Sequence, residues 1–220
     1  SAQFTQNVNF GCTPLDVTFT KDMAGITKWW WDFGDGSPVD SVNASPLHTF
    51  TNLSDGMIEY YDVRLRVESA AGCYDEILSG ITVFPGVDAS FTPDNDIVCS
   101  GSPVTFTALP GAGRYFWDYG DGVSGYSTNV SNHIYTNNTT VPVVRTVTLV
   151  TTSFYSCTDV RTYDITVMPV PVAQFTADPV TQVFDPAGTY VTFANTTNEG
   201  TWDWLWRFGD NTTSVERDPV

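Results

Sequence analysis

The sequence predicts an all-β protein built as tandem immunoglobulin-like β-sandwiches, and three observations point there. Apolar and polar residues alternate at period two: Leu15, Val17 and Phe19 against Asp16, Thr18 and Thr20, then Val63, Leu65 and Val67 against Arg64 and Arg66. That alternation marks strands with one face buried. Val, Thr, Tyr and Phe crowd those runs, Gly, Asn, Asp, Ser and Pro fill the gaps, and no stretch sustains a helical period. The whole pattern then repeats. Trp31-Asp32-Phe33-Gly34-Asp35-Gly36 returns as Trp117-Asp118-Tyr119-Gly120-Asp121-Gly122 and as Trp206-Arg207-Phe208-Gly209-Asp210-Asn211, at steps of 86 and 89 residues.

Other landmarks keep the same beat. Ala2-Gln3-Phe4-Thr5 recurs at Ala89-Ser90-Phe91-Thr92 and Ala173-Gln174-Phe175-Thr176, and Val17-Thr18-Phe19 at Val104-Thr105-Phe106 and Val191-Thr192-Phe193. His48-Thr49-Phe50 recurs at His133-Ile134-Tyr135. A repeat of this length, with about seven short strands, is a small sandwich domain rather than a solenoid turn. Proline-bearing linkers, Val83-Phe84-Pro85-Gly86 and Val167-Met168-Pro169-Val170-Pro171, set the boundaries: domains at 1–85, 86–169 and 170–220. Proline keeps such joints extended, so the array is expected to be beads on a semi-rigid string. The third domain stops soon after its Gly209-Asp210 turn, before counterparts of residues 48–50 and 61–83. Either the rest of it lies outside these residues, or another molecule donates strands, a head-to-tail contact that builds filaments.

Composition narrows the function. Acidic residues outnumber basic ones 25 to 9, for a net charge of −16. Nucleic acid and anionic membrane surfaces both require a basic face, and none exists here. No apolar run approaches the roughly 20 residues of a membrane span, so no direct membrane insertion is expected. Hydrophobic residues at 41% and aromatics at 14% exclude a disordered acidic tail. No basic-then-apolar leader opens the chain, so Ser1 reads as a mature N-terminus or a cut through a longer protein.

The repeated phrase has a structural cause. Trp31 ends a strand with its ring inward, Phe33 follows on the same face, and Gly34-Asp35-Gly36 reverses the chain. The glycines supply positive φ and Asp35 bonds nearby amides. Trp117, Asp118, Tyr119, Gly120, Asp121 and Gly122 repeat these roles, as do Trp206, Phe208, Gly209 and Asp210, with Asn211 tolerating the left-handed conformation. Asp32, Asp35, Asp118 and Asp121 also present carboxylates to calcium, but that ion takes six to eight oxygens and the spacing matches no EF-hand loop. Turn formation accounts for them equally, and no cofactor is expected. His48 and His133 recur at one point of a strand and read as structural. No nucleophile–base–orienter set, paired-carboxylate cleft or phosphate loop stands out. A catalytic site seldom recurs in identical copies, so the chain does not read as an enzyme.

Period two sends Trp30, Phe116 and Leu205 to the outer face. They form a contact stripe for sugar or protein, or else lie against neighbours such as Arg64 and Arg66 in cation–π contacts. Asn-x-Ser/Thr triplets occur at Asn43, Asn52, Asn129, Asn137, Asn138, Asn195 and Asn211. They are N-glycan acceptors in a eukaryotic secreted protein and Asn/Thr-rich loops in a bacterial one. Asp40-Ser41-Val42 resembles a bacterial O-glycosylation pattern, with Ser41 the acceptor.

The repeated phrase, followed by His48-Thr49-Phe50 and Tyr61-Asp62-Val63-Arg64-Leu65-Arg66-Val67, resembles the polycystic kidney disease (PKD) domain. The resemblance covers two full domains and the opening of a third. Gly11-Cys12 with Pro14-Leu15, and Gly72-Cys73 with Asp75, are similar to a PKD subgroup common in large surface proteins of gliding, type IX-secreting bacteria. The second copy departs mildly, with Cys99-Ser100-Gly101-Ser102-Pro103, and the third has no cysteine near Pro186. The resemblance implies a non-enzymatic extracellular structural or adhesive array whose domains act as spacers and interaction surfaces. Partners would be neighbouring domains, other copies in a fibre, or surface glycans and proteins. The alternative is a set of accessory domains of a secreted polysaccharide- or protein-degrading enzyme.

Four cysteines lie in phase, Cys12 and Cys99 before the second strand signal, Cys73 and Cys157 after the sixth. Their even number and matched positions favour disulfides and hence an oxidising, extracellular location, and no close Cys-x-x-Cys pair supports zinc. Two pairings stay open. Parity within each domain gives Cys12–Cys73 with Cys99–Cys157. In an immunoglobulin-like sandwich, however, the first turn and the last hairpin lie at opposite ends, and a bridge needs adjacent Cβ atoms. That topology gives Cys12–Cys157 across the joint.

Overall fold

The alternating runs become strands wherever a second alternating run can close the hydrogen-bond ladder. The computed structural model describes residues 1–21, 23–54, 56–183, 188, 190–198 and 200–220. Domain 1 contains β1 (Thr5–Gln6), β2 (Phe10–Cys12), β3 (Leu15–Thr20), β4 (Ile26–Asp32), β5 (Leu47–Phe50), β6 (Glu59–Ser69) and β7 (Tyr74–Phe84). They form two sheets ordered β1-β3-β5 and β2-β7-β6-β4. Pairing is antiparallel except for β2, which runs parallel to the far end of β7 with Cys12 opposite Phe84.

Domain 2 repeats the plan with β8 (Phe91–Pro93), β9 (Ile97–Cys99), β10 (Pro103–Ala108), β11 (Arg114–Asp118), β12 (Ser124–Ser127), β13 (Val130–Ile134), β14 (Val143–Thr152) and β15 (Thr158–Met168). Its sheets run β13-β10-β8 and β12-β11-β14-β15-β9. The added edge strand β12 pairs with β11, where domain 1 has only a bridge between Trp31 and Asp40.

The inward residues of both sheets interdigitate as the period-two reading requires. In β3, Val17 and Phe19 are fully buried while Asp16, Thr18 and Thr20 face water. Trp31 sits at the centre of its core, 5.0 Å from the Phe4 ring and 5.4 Å from Phe19, among Val63, Leu65 and Val83. Trp117 holds the matching place, 5.1 Å from Phe91 and 5.8 Å from Phe106. Both indoles are fully buried.

The third domain carries β16 (Phe175–Asp178), β17 (Thr192–Asn195), β18 (Trp206–Arg207) and β19 (Thr213–Ser214), joined only as two pairs. The aromatic set is conserved in kind, with Phe175 and Phe193 at 5.2 and 5.6 Å from the Trp206 ring. Yet among its described residues Pro219 alone is buried. In domains 1 and 2 that face is covered by β6 with β7 and by β14 with β15, whose counterparts these residues do not include. β18 is confined to Trp206–Arg207, whereas β4 and β11 run longer beside their hydrogen-bonding neighbours β6 and β14. The alternation itself persists, with Trp202, Trp204 and Trp206 half-buried and Leu205 exposed. The stretch around Pro186 lies outside the described residues.

Truncating Trp31 to Ala should lower the unfolding free energy of domain 1 by about 3–5 kcal/mol, as for other buried aromatics. Urea unfolding followed by tryptophan fluorescence measures it; a negligible loss would mean that the β4–β6 register is wrong.

Candidate functional site

Two constructions recur in the first two domains: the turn that carries the repeated phrase, and the ends where domains meet. At the turn every residue of the phrase has a task. Asp32 Oδ1 accepts from Gly34 N at 3.1 Å, and Asp118 Oδ1 from Gly120 N at 2.9 Å. Gly34 takes φ +75° and lies so close to β6 that a Cβ there would sit 2.6 Å from the Asp62 carbonyl oxygen. Only glycine fits both conditions. Asn211 stands where the other copies have glycine and adopts φ 74°, as the sequence predicts.

The second aspartate of the phrase reaches across to the histidine. Asp35 Oδ2 lies 2.7 Å from His48 Nε2, and Asp121 Oδ2 lies 2.7 Å from His133 Nε2. His48 stacks on Phe33 at 3.7 Å and His133 on Tyr119 at 4.0 Å, both nearly parallel. The turn of one sheet is thereby clamped to β5 or β13 of the other. Burial opposes ionisation of Asp35, but hydrogen bonds from Ser37 and His48 outweigh it and hold the carboxyl below its ordinary value. Asp121 is held low in the same way, burial being overcome by His133 and the Val123 amide. Burial also raises the Tyr135 hydroxyl well above the ordinary phenol range. In domain 3, Asp210 Oδ1 accepts from Thr212 N at 2.8 Å. Among the described residues no three His, Cys, Asp or Glu side chains gather as a metal set.

The joint is the second construction. Cys12, at the end of β2, is disulfide-bonded to Cys157, in the hairpin between β14 and β15, with Cα atoms 5.6 Å apart. Cys73 and Cys99 are free and exposed. Of the two pairings the sequence left open, the local one is overturned. The reason is distance: Cys12 lies level with Phe84, whereas Cys73 precedes Tyr74 at the other end of the same strand, roughly 33 Å away at the rise of a β-strand. Beside the bond, Phe84 stacks on Tyr155 at 5.2 Å and 6°. A cleft of about 700 Å³ opens at the same joint between Thr13, Asn52 and Leu53 on one side and Leu109, Pro110 and Ala112 on the other.

Some structural residues escaped the sequence reading although their spacing was in phase. Buried Asn52 donates from Nδ2 to the carbonyls of Met57 and Val83, and buried Asn137 to those of Val141 and Val167. Ser54 and Thr139 in turn donate to the Asn oxygens. These two Asn-x-Ser/Thr triplets are therefore end braces, not open glycan acceptors. Asp75 accepts from Ala2 N at 2.8 Å and Asp159 from Ala89 N at 3.0 Å, pinning each entering chain to the last strand of its own domain.

On the outer face, half-buried Trp30 lies 5.6 Å from the Arg66 guanidinium, and Phe116 packs edge-on against Tyr126 at 5.1 Å. Leu205 is 63% exposed. Ser41 is exposed beside Asp40, whose carboxylate caps Val42 N and Asn43 N.

Strand order, paired sheets and end-to-end bonding define an all-β array of immunoglobulin-like sandwiches. The PKD domain family model matches residues 1–83. Among solved structures, the PKD1 domain of the Vibrio cholerae metalloprotease PrtV is 28% identical, covering 38% of this chain and 94% of its own, with a TM-score of 0.30. The fibronectin(III)-like modules of Clostridium thermocellum CbhA are 10% identical over 76% of this chain and 94% of theirs, with a TM-score of 0.35. Murine CEACAM1b is 11% identical over 77% of this chain and 100% of its own, with a TM-score of 0.34. No curated protein matches the chain. Among the described residues there is no helix long and apolar enough to cross a membrane.

Because the folded Asp35 and Asp121 carboxyls lie below 3.8, the stability they add is complete above that value and is lost as pH falls through the folded one. Denaturant unfolding of the native chain and of Asp35→Asn should therefore differ at neutral pH and converge once the pH has fallen through the folded Asp35 carboxyl, where both carry a neutral group. Comparing the two chains cancels the general relief of acidic repulsion. A constant gap between them at all pH values would remove the Asp35–His48 clamp from the account.

Proposed function

We propose that this chain is a segment of an extracellular, non-enzymatic array in which PKD-type sandwiches act as rigid spacers between adhesive or displayed surfaces. The observation that carries this reading is the Cys12–Cys157 bond. A single flexible linker lets two domains swivel, whereas a linker plus a covalent staple at the same joint gives two attachments and fixes their relative direction. The stacked Phe84 and Tyr155 rings add a third contact. A device that fixes direction is of use to a spacer and of little use to a tether.

A disulfide of this kind forms in oxidising compartments, which supports an extracellular location. The acidic surface, at a net charge of −16, supports a solvated rod that resists self-association. Exposed Ser41, in its Asp40-capped turn, is the proposed attachment point for an O-glycan.

The free thiols supply their own test. Spin labels on Cys73 and Cys99 mark the two far ends of the domain pair, roughly 70 Å apart if β7 and β15 follow one another end to end. Pulsed electron–electron resonance should give one narrow distance distribution for the native chain. In a Cys12→Ser/Cys157→Ser chain it should broaden about twofold, as expected of a domain pair left to its linker. An unchanged width would show that the staple does not set the geometry, and the spacer reading would fall.

A further inference from the structure

The indole of the repeated phrase finds a carbonyl in two of the three domains. Trp117 Nε1 donates to the Thr128 carbonyl at 3.1 Å, and Trp206 Nε1 to the Glu216 carbonyl at 2.8 Å. Each acceptor lies just past the edge strand that pairs with the indole's own strand, β12 on β11 and β19 on β18. Trp31 packs like the other two. The three rings stand 5.0, 5.1 and 5.2 Å from Phe4, Phe91 and Phe175 and cross them at 73°, 80° and 75°. Yet Trp31 Nε1, in a fully buried side chain, has no hydrogen-bond partner among the described residues. A buried N–H left in that state is costly and rare.

Domain 1 has no such edge strand among its described residues. Trp31 exchanges both main-chain bonds with Asp40, at 2.8 and 2.9 Å, where Trp117 has Gly125 opposite it. There the ladder stops. Asp40 Oδ1 accepts from Val42 N at 2.8 Å and Asn43 N at 3.0 Å, and Oδ2 accepts from Asn43 Nδ2 at 2.8 Å. Side-chain bonds of this kind compete with a sheet ladder for the same amides, and here they turn the chain off the edge. Gly125 has no side chain to do so, and domain 2 continues into Tyr126 and Ser127, opposite Phe116 and Tyr115. Alternation turns the Trp29 main chain to the same edge as Trp31, and it has no backbone partner there among the described residues. A cleft of about 220 Å³ opens between Thr27, Lys28, Trp29, Trp30 and Ser41, and Val42 beyond it is 81% exposed.

We propose that residues 41–43 are a strap with a second position, a strand added to β4 as β12 is added to β11. Released from Asp40, Ser41 comes opposite Trp30, Val42 exchanges main-chain bonds with Trp29, and the Asn43 carbonyl accepts from Trp31 Nε1. The chain has the length for it. Residues 40–46 match residues 125–131 in number, and both segments end beside a matching phenylalanine: Phe19 N donates to the Pro46 carbonyl, and Phe106 pairs with Ser131. Three bonds to Asp40 are thus exchanged for two ladder bonds and the indole bond, and the Asp40 carboxylate sets which position is occupied. With the strap out, the edge of β4 offers unpaired groups to an extended polypeptide; with it in, the edge is covered.

Hydrogen exchange of the full chain, followed by NMR, tests the strap. Asp40→Gly and, independently, Asp40→Ala remove the cap. Both should slow exchange of the Trp29 amide and the Trp31 indole N–H about tenfold. The Val63 and Leu65 amides of β6 report that the core is intact and should stay as protected as in the native chain. Asp40→Asn keeps an acceptor oxygen in place and should exchange like the native chain. Adding Val42→Pro to Asp40→Gly removes the amide that bonds Trp29 and should restore native exchange. A turn that is merely loosened speeds exchange, so the sign separates the two cases. No slowing in either cap-free variant overturns the proposal. Slowing that grows with protein concentration overturns it as well, by giving the edge to a second copy.

Discussion

The length of the last hairpin governs the rest of the structure. β6 and β7 each run 11 residues, and β15 does the same in domain 2, so each spans its sandwich from one end to the other. A cysteine at the tip of that hairpin and a cysteine beside its base are thereby separated by the full height of a domain. They cannot meet within one sandwich. Each is instead presented at an end face, where the next sandwich brings up the complementary residue. Joint, direction and repeat are all consequences of a strand that is long relative to the domain it completes.

Much of this was legible from residues alone, because local rules and global fold agree. The period-two run through Val17 and Phe19 became a half-buried strand, and Trp31 became the fully buried centre of its core. Asn211 took the left-handed conformation that its glycine counterparts implied. The cysteine pairing was not legible to the end: parity and topology pointed in different directions, and only the register of β2 against β7 decides between them. The bracing role of Asn52 and Asn137 was not legible for a related reason. A triplet that marks a glycan acceptor in an open loop is also one in which a hydroxyl bonds the amide oxygen two residues back, as Ser54 and Thr139 do. Burial separates these readings, and burial of a loop side chain has no periodic trace in sequence. The Phe84–Tyr155 stack escaped because its partners belong to different domains and their repeat counterparts, Met168 and Ala71, do not pair.

The clamp at the turn shows how a short phrase can be repeated without being catalytic. Asp35 and His48 are a carboxylate and an imidazole at hydrogen-bonding distance, which is half the constellation of many active sites. Here the ring lies flat against Phe33 and joins one sheet to the other. Asp121, His133 and Tyr119 repeat the arrangement. The pair serves the fold by tying a turn that would otherwise hang from one sheet.

The staple also redirects mechanical load. Cys12 and Cys157 lie 145 positions apart in sequence, yet the bond makes them adjacent along the covalent path. Tension entering from the N-terminal side reaches Cys12 after a few residues, crosses the sulfurs and leaves through β15. The intervening chain, nearly all of domain 1 and the larger part of domain 2, is bypassed. Fully extended it would measure roughly 500 Å, and that slack cannot be drawn out while the bond holds. A joined pair of sandwiches is thus close to inextensible under pull, and only after reduction of that bond could force unfold the two sandwiches and draw the slack out.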